Sequence, residues 1–333
     1  MKKIFVTGGA GYCGSILIPK LLAKGYKVKV FDSLFFTDGF LPNDNANLTV
    51  VEGDIRDAKK IYQETLGYDI FINLACISND ASFELNENLS TSINMDAFEP
   101  MVLSAKKANI QRFIYASSSS VYGVSESENV TEDHPLVPLT LYNKYKGLCE
   151  PILLKHTDNN FNGVIFRPAT VCGYSPRMRF DLSVNILTHH AIKKNKITVF
   201  GGDQLRPNLH IQDYCDLVCL LIEADKTKIS NQTFNVGYQN LSIIDIAKKV
   251  KKVVLEEFPE KSNLDIVRTE SDDKRSYHIN SDKITKLLDY VPTRSIEDAI
   301  RDLCIEFKKN NFLDSENNNI YYNVKRIKEL NIK

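Results

Sequence analysis

Thr7-Gly8-Gly9-Ala10-Gly11-Tyr12-Cys13-Gly14 follows a short apolar run at 3–6 and precedes a helical pattern with Leu17, Ile18, Leu21 and Leu22 on one face. Glycines spaced G-x-x-G-x-x-G between strand and helix make a turn whose backbone N–H groups approach a phosphate closely. The helix N-terminus adds positive potential there. The spacing, carried by Gly8, Gly11 and Gly14, differs by one residue from the commoner dinucleotide fingerprint. After a break at Gly25 the next strand is predicted at 27–31, and Asp32 closes it. A carboxylate in that place accepts hydrogen bonds from both ribose hydroxyls and repels a 2′-phosphate. No arginine follows at 33–36, so the pattern predicts NAD rather than NADP.

Outward from this turn the strand and helix patterns keep alternating. Apolar runs recur at 48–51, 70–74, 112–116 and 163–167, with helical patterns at 92–107 and 142–155. This rhythm predicts an α/β fold, a Rossmann-type doubly wound parallel sheet with helices on both faces. Residues 35–47, with Gly39, Pro42 and three asparagines, read as a loop. Beyond about 170 the rhythm changes, and proline, arginine and asparagine cluster at 174–179 and 201–208. The expected organisation is a cofactor-binding domain at 1–170 and a smaller C-terminal lobe at 171–333. Residues 233–236 are a candidate to return to the main sheet.

Two further strand ends carry candidate cofactor contacts. In Gly53-Asp54-Ile55, Asp54 can reach the adenine through its carboxylate or the backbone that follows, or can cap a helix. Leu74-Ala75-Cys76 places small side chains where the chain would run beside the cofactor, although Cys76 fits equally as a core thiol.

In Tyr142-Asn143-Lys144-Tyr145-Lys146, Tyr142 and Lys146 stand four apart on one helix face. A free phenol titrates near 10, so work as a base near neutrality needs a shift of about three units, or roughly 4 kcal/mol. An adjacent ammonium and the positive nicotinamide both favour phenolate. Tyr145 falls on another face and reads as packing. The four serines at 117–120 follow the fifth strand, where a hydroxyl can hold a substrate oxygen against Tyr142. They serve equally as turn residues, and the sequence does not select among them.

The bulk properties narrow the class. A chain of 333 residues buries about three quarters of its unfolded surface. Forty-two basic and 42 acidic residues leave no electrostatic footprint for nucleic acid. No run of about 18 apolar residues is present, so no membrane span is expected. Met1-Lys2-Lys3 leads directly into a strand, so no signal peptide is expected. Seven cysteines (13, 76, 149, 172, 215, 219 and 304) lie scattered in apolar segments, as reduced core thiols of a cytoplasmic protein would. Cys215 and Cys219 are four apart, but no metal site is expected.

These motifs resemble the extended short-chain dehydrogenase/reductase family, in its nucleotide-sugar epimerase and dehydratase branch, over nearly the whole chain. The glycine turn, the S-S-S-S-V-Y-G segment at 117–123, Y-x-x-x-K and Arg206-Pro207-Asn208-Leu209-His210-Ile211-Gln212-Asp213 occur in the family's order. The resemblance implies catalytic roles for Ser118, Tyr142 and Lys146. It also implies cofactor contacts at Tyr12, Cys13 and Asn94, although an aliphatic residue is usual where Cys13 stands. Nucleotide-sugar contacts are implied at Asn185, Arg206 and Arg275, with Thr170 replacing the family's common asparagine. A homodimer through the 92–107 and 142–155 helices is the family expectation.

Departures from the family narrow the chemistry. The branch's 4,6-dehydratases carry Asp-Glu directly after the catalytic hydroxyl, and its decarboxylases keep a Glu. Here Ser119 and Ser120 stand in those positions, so both activities are disfavoured. Thr170 and the unusual Pro176-Arg177-Met178-Arg179-Phe180-Asp181 loop point away from UDP-galactose itself; the loop's arginines either bind substrate or pair with neighbouring acids. The resemblance therefore implies a nucleotide-sugar epimerase using NAD, acting at C4 through a transient 4-keto sugar. Rivals are a one-way C4 dehydrogenase or 4-keto reductase, and a catalytically silent dinucleotide sensor.

Overall fold

Side chains along the first strand alternate between two separate cores. Ile4 and Val6 point into one, and Phe5 into the other. The computed structural model describes residues 1–270 and 276–332. Its strands are β1 (Lys3–Thr7), β2 (Lys27–Asp32), β3 (Leu48–Glu52), β4 (Ile70–Asn73), β5 (Arg112–Ala116), β6 (Asn162–Pro168), β7 (Thr170–Cys172), β8 (Lys196–Phe200), β9 (Leu205–His210), β10 (Gln232–Val236), β11 (Gln239–Ser242) and β12 (Asp265–Thr269).

Seven of these form one parallel sheet in the order β10-β6-β5-β4-β1-β2-β3. The chain runs outward from β1 to β3 and then restarts at β4 on β1's other side. The carboxyl ends of β1 and β4 therefore diverge into a crevice. Both faces of the sheet are buried, as parallel sheets require. On one face Phe5, Phe71 and Phe113 pack ring to ring, Phe71 and Phe113 stacked at 4.6 Å between centroids.

Residues 232–236 pair with β6 and complete the main sheet, although they lie beyond residue 170. The rest of the later chain builds a smaller layer over the sheet's carboxyl edge. It contains the three-stranded β11-β9-β7 sheet and the parallel β12-β8 pair. A final helix, Asn323–Leu330, comes back to the crevice and brings Asn323 and Ile327 to its wall. No helix among the described residues is long and apolar enough to cross a membrane.

Candidate active site

The crevice is a cavity of about 370 Å³ reaching from the glycine turn to the Tyr142 helix, Leu141–His156. At its floor the glycines are dictated by space. Gly8 has φ +74°, and a Cβ there would sit 2.6 Å from Ala75 N. A Cβ on Gly14 would meet Gly9 O at 2.2 Å, which lets the helix Gly14–Ala23 start hard against the turn. Gly11 is different: a Cβ there would meet only Gly8 O, at 3.2 Å, so the room its missing side chain leaves is open crevice. Such a cradle beside a helix N-terminus fits a dinucleotide pyrophosphate.

Asp32 ends β2 at the same floor. Its carboxylate accepts from Ala10 N at 3.0 Å and Leu34 N at 2.9 Å. Burial raises its pKa, against the pull of those N–H groups and of Arg177. The group thus sits ready to accept from ribose hydroxyls. Asp54 and Ile55 line the crevice, but Asp54 is paired with Arg56 at 2.6 Å. Burial is the largest single influence on its pKa and raises it, but the side-chain bond, the Arg56 backbone N–H and the Arg56 charge together lower it. Leu74, Ala75 and Cys76 line the wall beyond β4.

At the catalytic end, Tyr142 lines the cavity from the first turn of its helix, which Thr140 caps through Asn143 N. Lys146, one turn on, is buried and donates to Ala116 O at 2.8 Å. Ser118 Oγ lies 2.6 Å from Ser120 Oγ, and Ser120 Oγ donates to Asn143 Oδ1 at 2.5 Å. The serine loop is fixed from behind by a buried network. Ser117 Oγ donates to Glu150 at 2.5 Å, and Glu150 is gripped by Arg167 at 2.6 Å. Arg167 reaches on to the Tyr122 hydroxyl.

The Tyr142 phenol has its pKa raised, chiefly by burial and then by Cys76 and Asp80, while Arg179 pulls it down. These surroundings therefore favour the protonated phenol. The expected acid shift has to come with the cofactor's positive ring.

Three expected contacts are occupied differently. Asn185 is buried and spends its amide inside the protein, accepting from Gly173 N at 3.0 Å and donating to Arg179 O at 2.9 Å. It also donates to the Tyr12 hydroxyl at 3.1 Å, so it shapes the wall rather than lining it. Asn94 closes a two-bond clasp on the Ile77 backbone, at 2.8 and 2.9 Å, within the π-helical turn Ser92–Asp96. Arg206 stacks on the Tyr277 ring at 5.3 Å, and it is Tyr277 that reaches the crevice. Thr170 lines the crevice at the start of β7. Arg275 lies outside the described residues.

A family profile described as NAD dependent epimerase/dehydratase family matches residues 4–237. The chain belongs to this family. Its cofactor is NAD, and it is an enzyme. It is 27% identical over 316 residues to the low-salt glycan biosynthesis protein Agl12 of Haloferax volcanii, covering 91% of this chain and 97% of that one. A UDP-glucose 4-epimerase of Bacillus subtilis is 26% identical, covering 77% and 83%. Among solved structures, a dTDP-glucose 4,6-dehydratase of Streptomyces venezuelae with NAD bound superposes with a TM-score of 0.81. It is 22% identical and covers 92% of this chain and 97% of that one. Epimerases and dehydratases thus share this architecture.

The family's NAD fits the residues present. Gly11 leaves the cradle open, Asp32 stands beside it at the end of β2 with a carboxylate able to accept from hydroxyls, and Tyr142 with Lys146 stands at the far end. Several wall residues carry no local sequence signal. Arg177 and Arg179 stood out in an unusual loop, with substrate binding and pairing with neighbouring acids both left open. Asn323 and Ile327 arrive from the last helix, some 300 residues after the glycine turn.

Proposed function

We propose that this enzyme is a nucleotide-sugar 4-epimerase. One observation carries the reading: the positions that hold carboxylates in the branch's dehydratases are here Ser119 and Ser120. Ser119 is buried, and the Ser120 hydroxyl is tied to Asn143. No acid follows the catalytic serine to move protons at C5 and C6 of the sugar. NAD, when bound, accepts a hydride from the sugar carbon and gives one back. Tyr142 takes the proton from the sugar's C4 oxygen and later returns it. Ser118 holds that oxygen in line, and Lys146 supplies a fixed positive charge on the cofactor side of Tyr142. Because no proton is removed from sugar carbon, the 4-keto sugar can turn over and be reduced on its other face.

Arg206, Thr170 and Arg275 are proposed contacts for the nucleoside diphosphate and sugar, since guanidinium pairs well with phosphate oxygens. Leu103 and Leu148, on the helices Phe98–Lys107 and Leu141–His156, are exposed and apolar. They support a homodimer through those helices, checked by light scattering. The seven free cysteines, five of them buried, suit a cytoplasmic protein.

Incubation with UDP-, GDP-, CDP- and dTDP-sugars, followed by NMR, tests the reading. A C4 epimer formed without net NADH is the expected outcome. Stoichiometric NADH or an accumulating keto sugar would instead establish one-way redox chemistry or dehydration.

A further inference from the structure

Arg177 belongs to the second lobe, yet its backbone N–H donates to Ser15 Oγ at 3.3 Å, in the first turn of the glycine-turn helix. The side chain is 2% exposed and forms part of the crevice wall with Gly11, Cys13 and Gly14. Its guanidinium lies over the Phe36 ring, 3.7 Å from the centroid, and Nη2 donates to Asn323 Oδ1 at 2.6 Å. A planar cation is thus fixed from two sides.

Its charge is not matched. A guanidinium has five N–H donors. Among the described residues the Asn323 bond is its one side-chain hydrogen bond, and Nε is buried with no partner. Arg179, two residues on, is satisfied by Asp181 at 3.0 and 3.2 Å. Of the two buried guanidiniums in the wall, the one hydrogen-bonded to a carboxylate is thus Arg179; Asp181 and Asp32 act on Arg177 through charge without a hydrogen bond to it. Burial and the neighbouring Arg179 push the Arg177 pKa down to about 9, which leaves it cationic at neutral pH. A buried, unpaired cation is costly unless an anion completes it.

The surroundings say which anion. Beyond its own loop, the acidic groups acting on Arg177 are Asp32 and Cys13, both on the cofactor side of the crevice. Arg179, not Arg177, is the guanidinium that acts on Tyr142 at the sugar end. We propose that Arg177 is a phosphate ligand for the pyrophosphate of bound NAD, meeting from the second lobe the anion that the glycine turn cradles. Asn323 and Phe36 position it, so the C-terminal helix contributes to cofactor retention through this contact. The inference rests on NAD as the cofactor and is independent of which sugar reaction follows.

The test is titration calorimetry of nucleotide-free protein with NAD, adenosine and UDP. The variants are Arg177→Met, which keeps the stem on Phe36, and Arg177→Lys, which restores a charge. The methionine variant should bind NAD roughly ten- to a hundred-fold more weakly, as loss of a charged hydrogen bond implies. The lysine variant should recover part of that loss, and adenosine and UDP should bind as to the parent. Without nucleotide, the methionine variant should melt no lower than the parent, because an unpaired buried charge has gone. Unchanged NAD affinity would overturn the assignment, as would a loss that falls on UDP instead. So would a lower melting temperature with NAD binding intact, which marks a structural arginine. Should the methionine variant not fold, the lysine variant decides alone: weaker NAD with unaltered adenosine supports the contact, and parental NAD affinity refutes it.

Discussion

Lys146 Nζ and the Ala116 carbonyl are hydrogen-bonded at 2.8 Å, which fixes the ammonium to the carboxyl end of β5, beside the serine loop. A strand end moves little, so the charge is presented to the crevice from a rigid support. Lys146 is not among the main influences of the protein on the Tyr142 phenol; burial, Cys76, Asp80 and Arg179 are. The pair should therefore separate on mutation. Tyr142→Phe should lower turnover roughly a hundred- to ten-thousand-fold while leaving NAD affinity as it was. Lys146→Met should lower both. Stopped-flow turnover on the sugar nucleotide identified by NMR, beside NAD titration of each variant, makes the comparison. Equal NAD losses in both variants would contradict it.

A methyl group at Gly14 has nowhere to go. It would lie 2.2 Å from Gly9 O, a backbone atom of the turn itself. Gly14→Ala must push the helix off the turn, and with it the N–H groups that would face a pyrophosphate. We expect a stability loss of about 1–3 kcal/mol together with NAD binding too weak to survive gel filtration. Gly67→Ala is a useful contrast: Gly67 has φ +76° and open space around it, so only backbone strain should register. Urea unfolding and nucleotide content of the purified variants measure both effects.

The difference between these two glycines also marks what the sequence could convey. That Gly8, Gly11, Gly14, Asp32, Tyr142 and Lys146 would line one crevice was legible because each lies in one turn or at one strand end, where spacing alone determines position. The strands of the main sheet were legible for the same reason, from continuous apolar runs. Asn185 and Asn94 bond the protein's own backbone, which spacing could not show, because an amide serves a ligand or a backbone equally well and only packing decides. Arg177 and Asn323 meet on the crevice wall through a contact spanning 146 positions in sequence, which no local pattern encodes.

The Glu150–Arg167 pair holds the serine loop from behind, and both side chains are almost fully buried. Glu150 also accepts from Ser117, and Arg167 also reaches Tyr122. Removing one partner strands the other charge, at a cost of about 3–5 kcal/mol. Arg167→Met should therefore destabilise the fold by that amount in urea. The double variant Arg167→Met/Glu150→Leu should recover much of it, although its loosened serine loop should still turn over slowly. A single variant as stable as the parent would mean that the pair contributes nothing.

His189 gives the fold an acid-sensitive point near the second lobe's loop. It is buried, packs tilted against Phe180 at 4.5 Å between centroids and bonds Ser315 at 3.0 Å, while Nδ1 has no partner among the described residues. Burial, then His190 and the neighbouring lysines, press its pKa down to about 3. Unfolded, the ring titrates near 6.5. Between these values the unfolded chain binds a proton that the folded chain refuses, so stability falls as pH falls through that window. The slope is about 1.4 kcal/mol per pH unit. Phe180 sits between Arg179 and Asp181, so acid loosening here should also weaken the crevice wall. In urea unfolding from pH 7 to pH 5, His189→Leu should lose about 2 kcal/mol less than the parent, whatever its stability at pH 7. Parallel pH profiles would show that this ring accepts its proton equally in both states.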